Sequence, residues 1–556
     1  MNIRTIRNNA FAATLLFGVA TIATTSCVDD NGNYDYSELA DIQVEGIPEL
    51  TEVLAHIDNI KITPTITVNG KPLAANDPNY TVLYRFGHKG MGNFGYDYEA
   101  GKSIVWKEWK PTDGYGIDVP ADFNTGMYIL WLTITDNTTG AVFSKRYDVS
   151  VGSTTYEGWL VLCDEGDDNR VRLDMISKIN SQRTEAIHDI AAGLPELHNA
   201  TCVIAFPQGS IPGDQIHVLS SEGAYILDSE TMECDPKEDE LVANRFAFNP
   251  NEKIIKEDLF AAASYSWLQK YKICFSENGN AYVWVDGSGG AAYSTPVNTL
   301  EEGRDVEFKV APYVGFNWTR PWAGNAAANM LFYDTTNRRF LLFLGGSNFS
   351  GSERMQLNVI AEPSADETCL FSYSTGKDLV YMQSTRRSNG LVYAVLQDPD
   401  TGQRSIYGIN MGGTKPIQEL FLPNVSAPDF DKATLFAFDN RFPLLFYAAG
   451  SKLYCYNLGT LQTTEIPTGF TQGEEITAMK FNLYRAVDYS ELTNQSEEFM
   501  NQQFRLVVCS FDNTKGDNGG RVTFFDVDGL NNTAKAAEHY DGFAKIRDIT
   551  YRERCE

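Results

Sequence analysis

The sequence predicts an all-β protein, a β-sandwich followed by a β-propeller of seven blades. Three observations point there. Aromatic residues make up 12% of the 556 residues, with 28 Tyr and 32 Phe, a composition that favours strands. Short apolar runs recur in pairs, each pair joined by a polar turn, through most of the chain. No long segment carries the apolar period of an amphipathic helix, which argues against α/β folds.

The first 26 residues read as a targeting segment. Arg4 and Arg7 supply a positive start with no acid nearby, and Ala10 to Ala23 (AFAATLLFGVATIA) is an apolar run of signal-peptide length. It is too short, and wrongly flanked, for a membrane span. Thr25 and Ser26 are small and precede Cys27. This layout resembles bacterial lipoprotein signals, in which the cysteine is lipidated, for example with palmitate, and becomes the new N-terminus. The window departs from that pattern at Thr24, where Leu is common. An ordinary secretory signal with a chance cysteine is the alternative. Residues 27–39 then form a polar, flexible tether. Within it, Val28-Asp29-Asp30 resembles the acidic export signal that places lipoproteins of Bacteroidetes-type bacteria on the outer face of the outer membrane. The resemblance implies a lipid anchor at Cys27 and a cell-surface location, the lipid chains holding by about 0.8 kcal/mol per buried methylene.

The formal charge is −28, and without the first 26 residues, which carry two arginines and no acid, it is −30. This argues against binding nucleic acid or an anionic membrane surface through a broad basic face. Contact with the membrane is expected through the lipid anchor only. Of nine cysteines, eight remain after lipidation, widely spaced and without a CxxC. Several sit in apolar runs such as WLVLCDE and KLYCYN, as small buried hydrophobes do. Spacing alone fixes no disulfide pairing.

Residues 40–152 read as the sandwich. In YILWLTITDNTTGAVFSKRYDVSV (residues 128–151), Leu130, Leu132 and Ile134 share one strand face, and Asp136–Gly140 is a Gly-containing hairpin turn. IKITPTITVNGKPL and YTVLYRFG supply further strands, a count and spacing that fit an immunoglobulin-like sandwich. NTGMYILWLTITDNTTG resembles the C-terminal half of a PKD-like domain. Together with the N-terminal cysteine, GNYDY and the following TTYEGWLVLCDE, it resembles the PKD-like lipoprotein family of Bacteroidetes-type bacteria over residues 20–165. That resemblance implies a place beside Sus-type outer-membrane nutrient transporters (SusC/SusD-like). Trp106 and Trp109, three apart, would point to opposite strand faces, one into the core and one toward solvent or a partner.

Residues 153–556 follow a different rhythm after a small polar hinge, Ser153-Thr154-Thr155. Seven hairpin-bearing units follow: GWLVLC with RVRLDM, QIHVLS with GAYILD, YKICFS with NAYVWVD, and NMLFYD with RRFLLF. Then come LVYMQS with LVYAVL and RSIYGINM, TLFAFD with LLFYAA and KLYCYN, and FRLVVCS with RVTFFDV. EGDDN, ENGN, DTTN and DNTKGDNGG lie in the turns. Such repetition predicts a propeller. Six or eight blades, or a chance run of hairpins in a sandwich, are the alternatives. KIRDITY (residues 545–551) resembles the openings of other units, so it is expected to complete the first blade and lock the ring.

Chemistry is sparse. Six histidines form no zinc-type pair, and there is no GxSxG elbow or Walker loop. No cofactor, metal or catalytic residue is assigned. Asp164–Asn169 and Asp512–Gly520 are oxygen-rich, but hairpin turns account for them. The stretch YVGFNWTRPWAG offers Tyr313, Trp318, Arg320 and Trp322, flat aromatic faces beside a hydrogen-bonding cation, as sugar rings need. Tyr265 and Trp267 form a second such candidate. Indoles buried on a blade edge are the plainer account of both stretches. The expected function is non-enzymatic: glycan or peptide capture beside a Sus-type importer. A polysaccharide hydrolase or lyase with two carboxylates in the central funnel, or a purely structural scaffold subunit, are the alternatives. Alanine at Trp318 and Trp322 separates binder from scaffold.

Overall fold

The computed structural model describes residues 40–88, 105–111, 114–180, 183–206, 215–263, 268–285, 292–300, 303–316, 329–344, 355–413, 415–471, 473–482 and 501–552. Among them, no helix is long and apolar enough to cross a membrane.

The N-terminal sandwich has a five-stranded sheet in the spatial order Leu50–Leu54, Val142–Gly152, Gly126–Asp136, Tyr80–His88, Val105–Trp109. A three-stranded sheet (Ile42–Glu45, Thr65–Val68, Lys71–Pro72) and the pair Asn59–Ile62 with Ile117–Pro120 complete it. Leu130, Leu132 and Ile134 are fully buried and share a core with Ile60, Ile62, Tyr84 and Phe86. Ile129 and Trp131, on the other face of the same strand, are buried too. Trp109 packs on this core, its ring 5.3 Å from Phe86; the side chain of Trp106 lies outside the described residues. The turn after the strand is held by Asp136, whose Oδ1 accepts the Thr138 amide at 2.8 Å and the Thr138 hydroxyl at 2.6 Å. Gly140 closes that turn at φ +75°.

Seven sheets follow, each with its inner strand facing a common axis. In the first blade, Lys545–Arg552 is the inner strand and pairs antiparallel with Gly158–Glu165, which continues to Arg170–Asn180 and Arg183–Ile187. The ring is therefore closed by the last described strand, as the sequence predicts. The other inner strands are Ala200–Phe206, Ile254–Ala263, Gly315–Phe316, Asp378–Ser384, Leu435–Phe438 and Glu474–Phe481.

Each blade packs on two neighbours, so its strands are apolar on both faces. Along Gly158–Glu165, Trp159, Val161 and Cys163 join a core with Val507, Cys509 and Phe524 of the seventh blade. The alternate residues Leu160 and Leu162 join a core with Val203, Ile216 and Val218 of the second. This double burial explains the unbroken apolar runs in the sequence. The fourth sheet differs from expectation. It has six strands, because Thr299–Leu300 and Gly303–Glu307 add to its outer side. Its inner strand, Gly315–Phe316, falls in the aromatic stretch YVGFNWTRPWAG, which is not among the strands expected from the sequence. Val314 and Phe316 are buried there, and two paired residues are too few to show a strand period.

The segment read as a hinge is clamped. Arg552 Nη1 donates to the Thr155 carbonyl at 2.6 Å and Nη2 to the Ser229 carbonyl at 2.7 Å. Ser177 donates its hydroxyl to the Thr154 carbonyl. Tyr551 donates its hydroxyl to Glu157 at 2.5 Å, and Thr125 of the sandwich donates to Glu230 of the second blade at 2.6 Å. The sandwich is thus fastened to the strand that closes the ring.

Of the seven described cysteines, all unpaired, Cys369 is exposed and the other six are buried. Burial pushes the Cys202 and Cys455 thiols up to about 12, leaving them inert. Cys27 and Cys555 lie outside the described residues.

Candidate functional site

The inner strands do not run regularly past the axis. Five of the seven carry a register shift against their outer neighbours, leaving one unpaired residue each. These residues are Arg547, Thr201, Ile255, Val380 and Thr477, in the first, second, third, fifth and seventh blades. A bulge bends and twists its strand and re-aims the side chains beside it. Next to this set of bulges the axis holds a cavity of about 350 Å3.

The third blade contributes Lys256 and Asp258 to the cavity; the seventh contributes Thr477, Lys480 and Asn482. The first supplies Arg547 and Asp548, the fourth Tyr313, and the fifth Tyr381, Gln383 and Ser384. Most of the charges are matched. Lys480 pairs with Asp548 at 2.7 Å, and the other oxygen of Asp548 accepts the Val203 amide at 3.0 Å. Arg547 donates to Asp164 at 2.5 Å, and Asp164 also accepts the Ala200 amide at 2.8 Å. Asp258 accepts the Leu259 amide at 2.9 Å.

Lys256 is different. Its ammonium sits 4.2 Å from the centre of the Tyr313 ring, a cation–π contact worth about 0.5–2 kcal/mol. Burial holds its pKa below the ordinary lysine range; Cys202, Asp258 and Asp548 pull the other way, and nearby Lys480 adds to the depression. Tyr313 meets Tyr381 edge-on at 5.6 Å, and burial raises the pKa of both hydroxyls. Gln383 secures the neighbouring blade by accepting the Phe438 amide at 2.8 Å and donating to the Phe438 carbonyl at 2.9 Å. Asn482, 3% exposed, accepts the Tyr551 amide at 3.3 Å through Oδ1. Its Nδ2 is buried with no hydrogen-bond partner among the described residues.

Of the residues singled out in the sequence, Tyr313 lines this cavity. Trp318, Arg320, Trp322, Tyr265 and Trp267 lie outside the described residues. Lys256, Lys480, Asn482, Arg547 and Asp548 were not singled out. They sit in or just beyond strands of mixed polar and apolar residues, and no local spacing links three blades.

Beside the cavity, between the second and third blades, His217 Nδ1 donates to Glu257 Oε2 at 2.6 Å, both side chains buried. Tyr293 donates to the other Glu257 oxygen at 3.2 Å. Gln215, Lys272 and Arg245 also face the imidazole. Burial depresses the His217 pKa, against the pull of Glu257. A histidine depressed in the folded state binds fewer protons folded than unfolded. Its contribution is therefore complete above the unfolded value of about 6.5 and is lost as pH falls below it. Thermal melts should show the midpoint dropping from pH 7 to 5.5, and His217→Gln should flatten that slope. An equal slope in the variant would remove His217 as its source.

Comparison with known proteins adds to this picture. Residues 27–193 match the PKD-like family. The PKD-like match begins at Cys27, spans the sandwich and runs through the first three propeller strands in the chain. No curated protein sequence matches the chain. Among solved structures, it is similar to a quinoprotein alcohol dehydrogenase-like protein from Bacteroides thetaiotaomicron. Identity is 13%, covering 93% of this chain and 100% of that one, with a TM-score of 0.38. A periplasmic gluconolactonase from Pseudomonas aeruginosa is 11% identical over 85% of this chain and 99% of its own, at a TM-score of 0.29. A DUF4784 family protein from Bacteroides caccae is 9% identical over 78% and 97%, at 0.27.

Proposed function

We propose that this protein is a cell-surface lipoprotein, anchored through Cys27, that binds a nutrient for a Sus-type outer-membrane importer without transforming it. The PKD-like sandwich spaces the propeller from the membrane, and the propeller recognises a glycan or a peptide. The observation that carries the binding role is the axial cavity, where an aromatic pair, an ammonium and an amide donor converge from different blades. Pre-formed, mostly satisfied walls of this kind suit recognition. Proximity to the importer would raise the local ligand concentration. The address and the importer rest on the N-terminal sequence and its PKD-like resemblance.

Purification of the tagged protein from native membranes in mild detergent tests this reading. A stoichiometric transporter and its lid lipoprotein should be identified by mass spectrometry. Recovery of the protein alone would overturn the accessory role. A second reading, a hydrolase or lyase, has one observation in its favour: Asp258 and Asp548 both line the cavity. Both Asp548 oxygens are engaged by Lys480 and Val203, which leaves it poorly placed as an acid or base. Polysaccharide turnover abolished by Asp258→Asn would establish that reading.

A further inference from the structure

We propose that the axial cavity is a carboxylate site, in which Lys256 Nζ supplies the charge and Asn482 Nδ2 a neutral donor. Arg547 and Lys480, the other two cations of the cavity, are each ion-paired and each of their partners also accepts a backbone amide. Lys256 has no carboxylate within ion-pair distance among the described residues; its ammonium lies over the Tyr313 ring. Asp258 stands two positions along the same strand, beyond that distance, and binds the Leu259 amide. A partly desolvated ammonium without an anion is unfavourable unless one arrives. Asn482 is two residues beyond Lys480 on the seventh blade, and its buried donor has no partner among the described residues either. An anion with two acceptor oxygens answers both groups, and charge-assisted hydrogen bonds are about twice as strong as neutral ones. The cavity, at about 350 Å3, suits one ring or two amino-acid residues rather than a polymer.

The proposal names the ligand class for the binding role given above and rests on that reading, but not on the transporter. Two sources supply this chemistry: a sugar acid and a peptide C-terminus. Isothermal titration of the full chain lacking its first 26 residues separates them, with galacturonate against galactose, and glycyl-alanine against its amide. One acid should bind at least about tenfold more tightly than its neutral partner. Lys256→Met should abolish that preference, and Lys256→Arg should keep most of it. Asn482→Leu should weaken the same acid several-fold and leaves every charge in place, so it serves if Lys256→Met fails to fold. Equal binding of acid and neutral forms, no binding of either acid, or full binding by folded Lys256→Met or Asn482→Leu would each overturn the proposal. Co-purification with a transporter would be untouched by any of these results.

Discussion

A chain ending at residue 544 should not fold to a native propeller. The missing strand pairs with Gly158–Glu165 and places Ile546, Ile549 and Tyr551 in the core between the first and seventh blades. Tyr551 meets Trp159 edge-on at 5.2 Å. The truncation also removes Asp548 from the Val203 amide, Arg547 from Asp164, and Arg552 from the carbonyls of Thr155 and Ser229. Replacing Ile549 alone by Ala should cost about 2–5 kcal/mol. Domains of ordinary stability hold about 5–15 kcal/mol in all, so loss of the whole strand exceeds what the ring can absorb. It also uncovers the apolar edge of Gly158–Glu165, a site for aggregation. Circular dichroism melts and protease digestion should show no cooperative unfolding for the truncated chain. A sharp transition near that of the intact chain would mean the ring closes without its last strand.

The second large effect is expected from one atom added at Gly158. This glycine sits at φ +142°, and a Cβ there would lie 2.1 Å from the Ile176 carbonyl oxygen. The neighbour is backbone, inside the strand that pairs with Gly158–Glu165, so it has nowhere to retreat. Gly158→Ala should destabilise by about 2–4 kcal/mol, combining a strained backbone with displacement of a paired strand. Gly140 is the control. It also has positive φ, at +75°, but nothing lies within 4 Å of its added Cβ. Gly140→Ala should cost about 1 kcal/mol through backbone strain alone. Denaturant titration distinguishes the two. Equal midpoints would show that the strands near Gly158 adjust freely.

The fold was readable because a propeller writes itself locally. Every blade is a set of hairpins, and double burial makes each strand an apolar run with polar turns at its ends. Ring closure was readable too, since KIRDITY has a strand pattern with no partner beside it in sequence. The inner strand of the fourth blade escaped because its pairing covers only Gly315–Phe316. The cavity escaped for a different reason. Lys256, Asn482 and Tyr313 belong to three blades and are separated by long stretches of chain. A lysine in a strand ordinarily marks the solvent face. Beside Lys256 a register shift alters the strand's alternation, and a bulge needs no residue type that a sequence displays. The clamp on Thr154 and Thr155 was likewise hidden, because its donors include Ser177 and Arg552, one of them at the far end of the chain.

Those unpaired residues at the axis separate two properties that most pockets tie together. The frame of the hollow is main-chain geometry repeated in five blades, while its lining is side chains, of which Arg547 and Thr477 sit at the unpaired positions themselves. Arg, Thr, Ile, Val and Thr occupy the unpaired positions, so the geometry tolerates any of them. Substitution of the lysine, the tyrosines or the asparagine should therefore change the lining and leave the main-chain frame in place. The chemistry at the hub of the wheel can thus change by a few substitutions on a fixed frame.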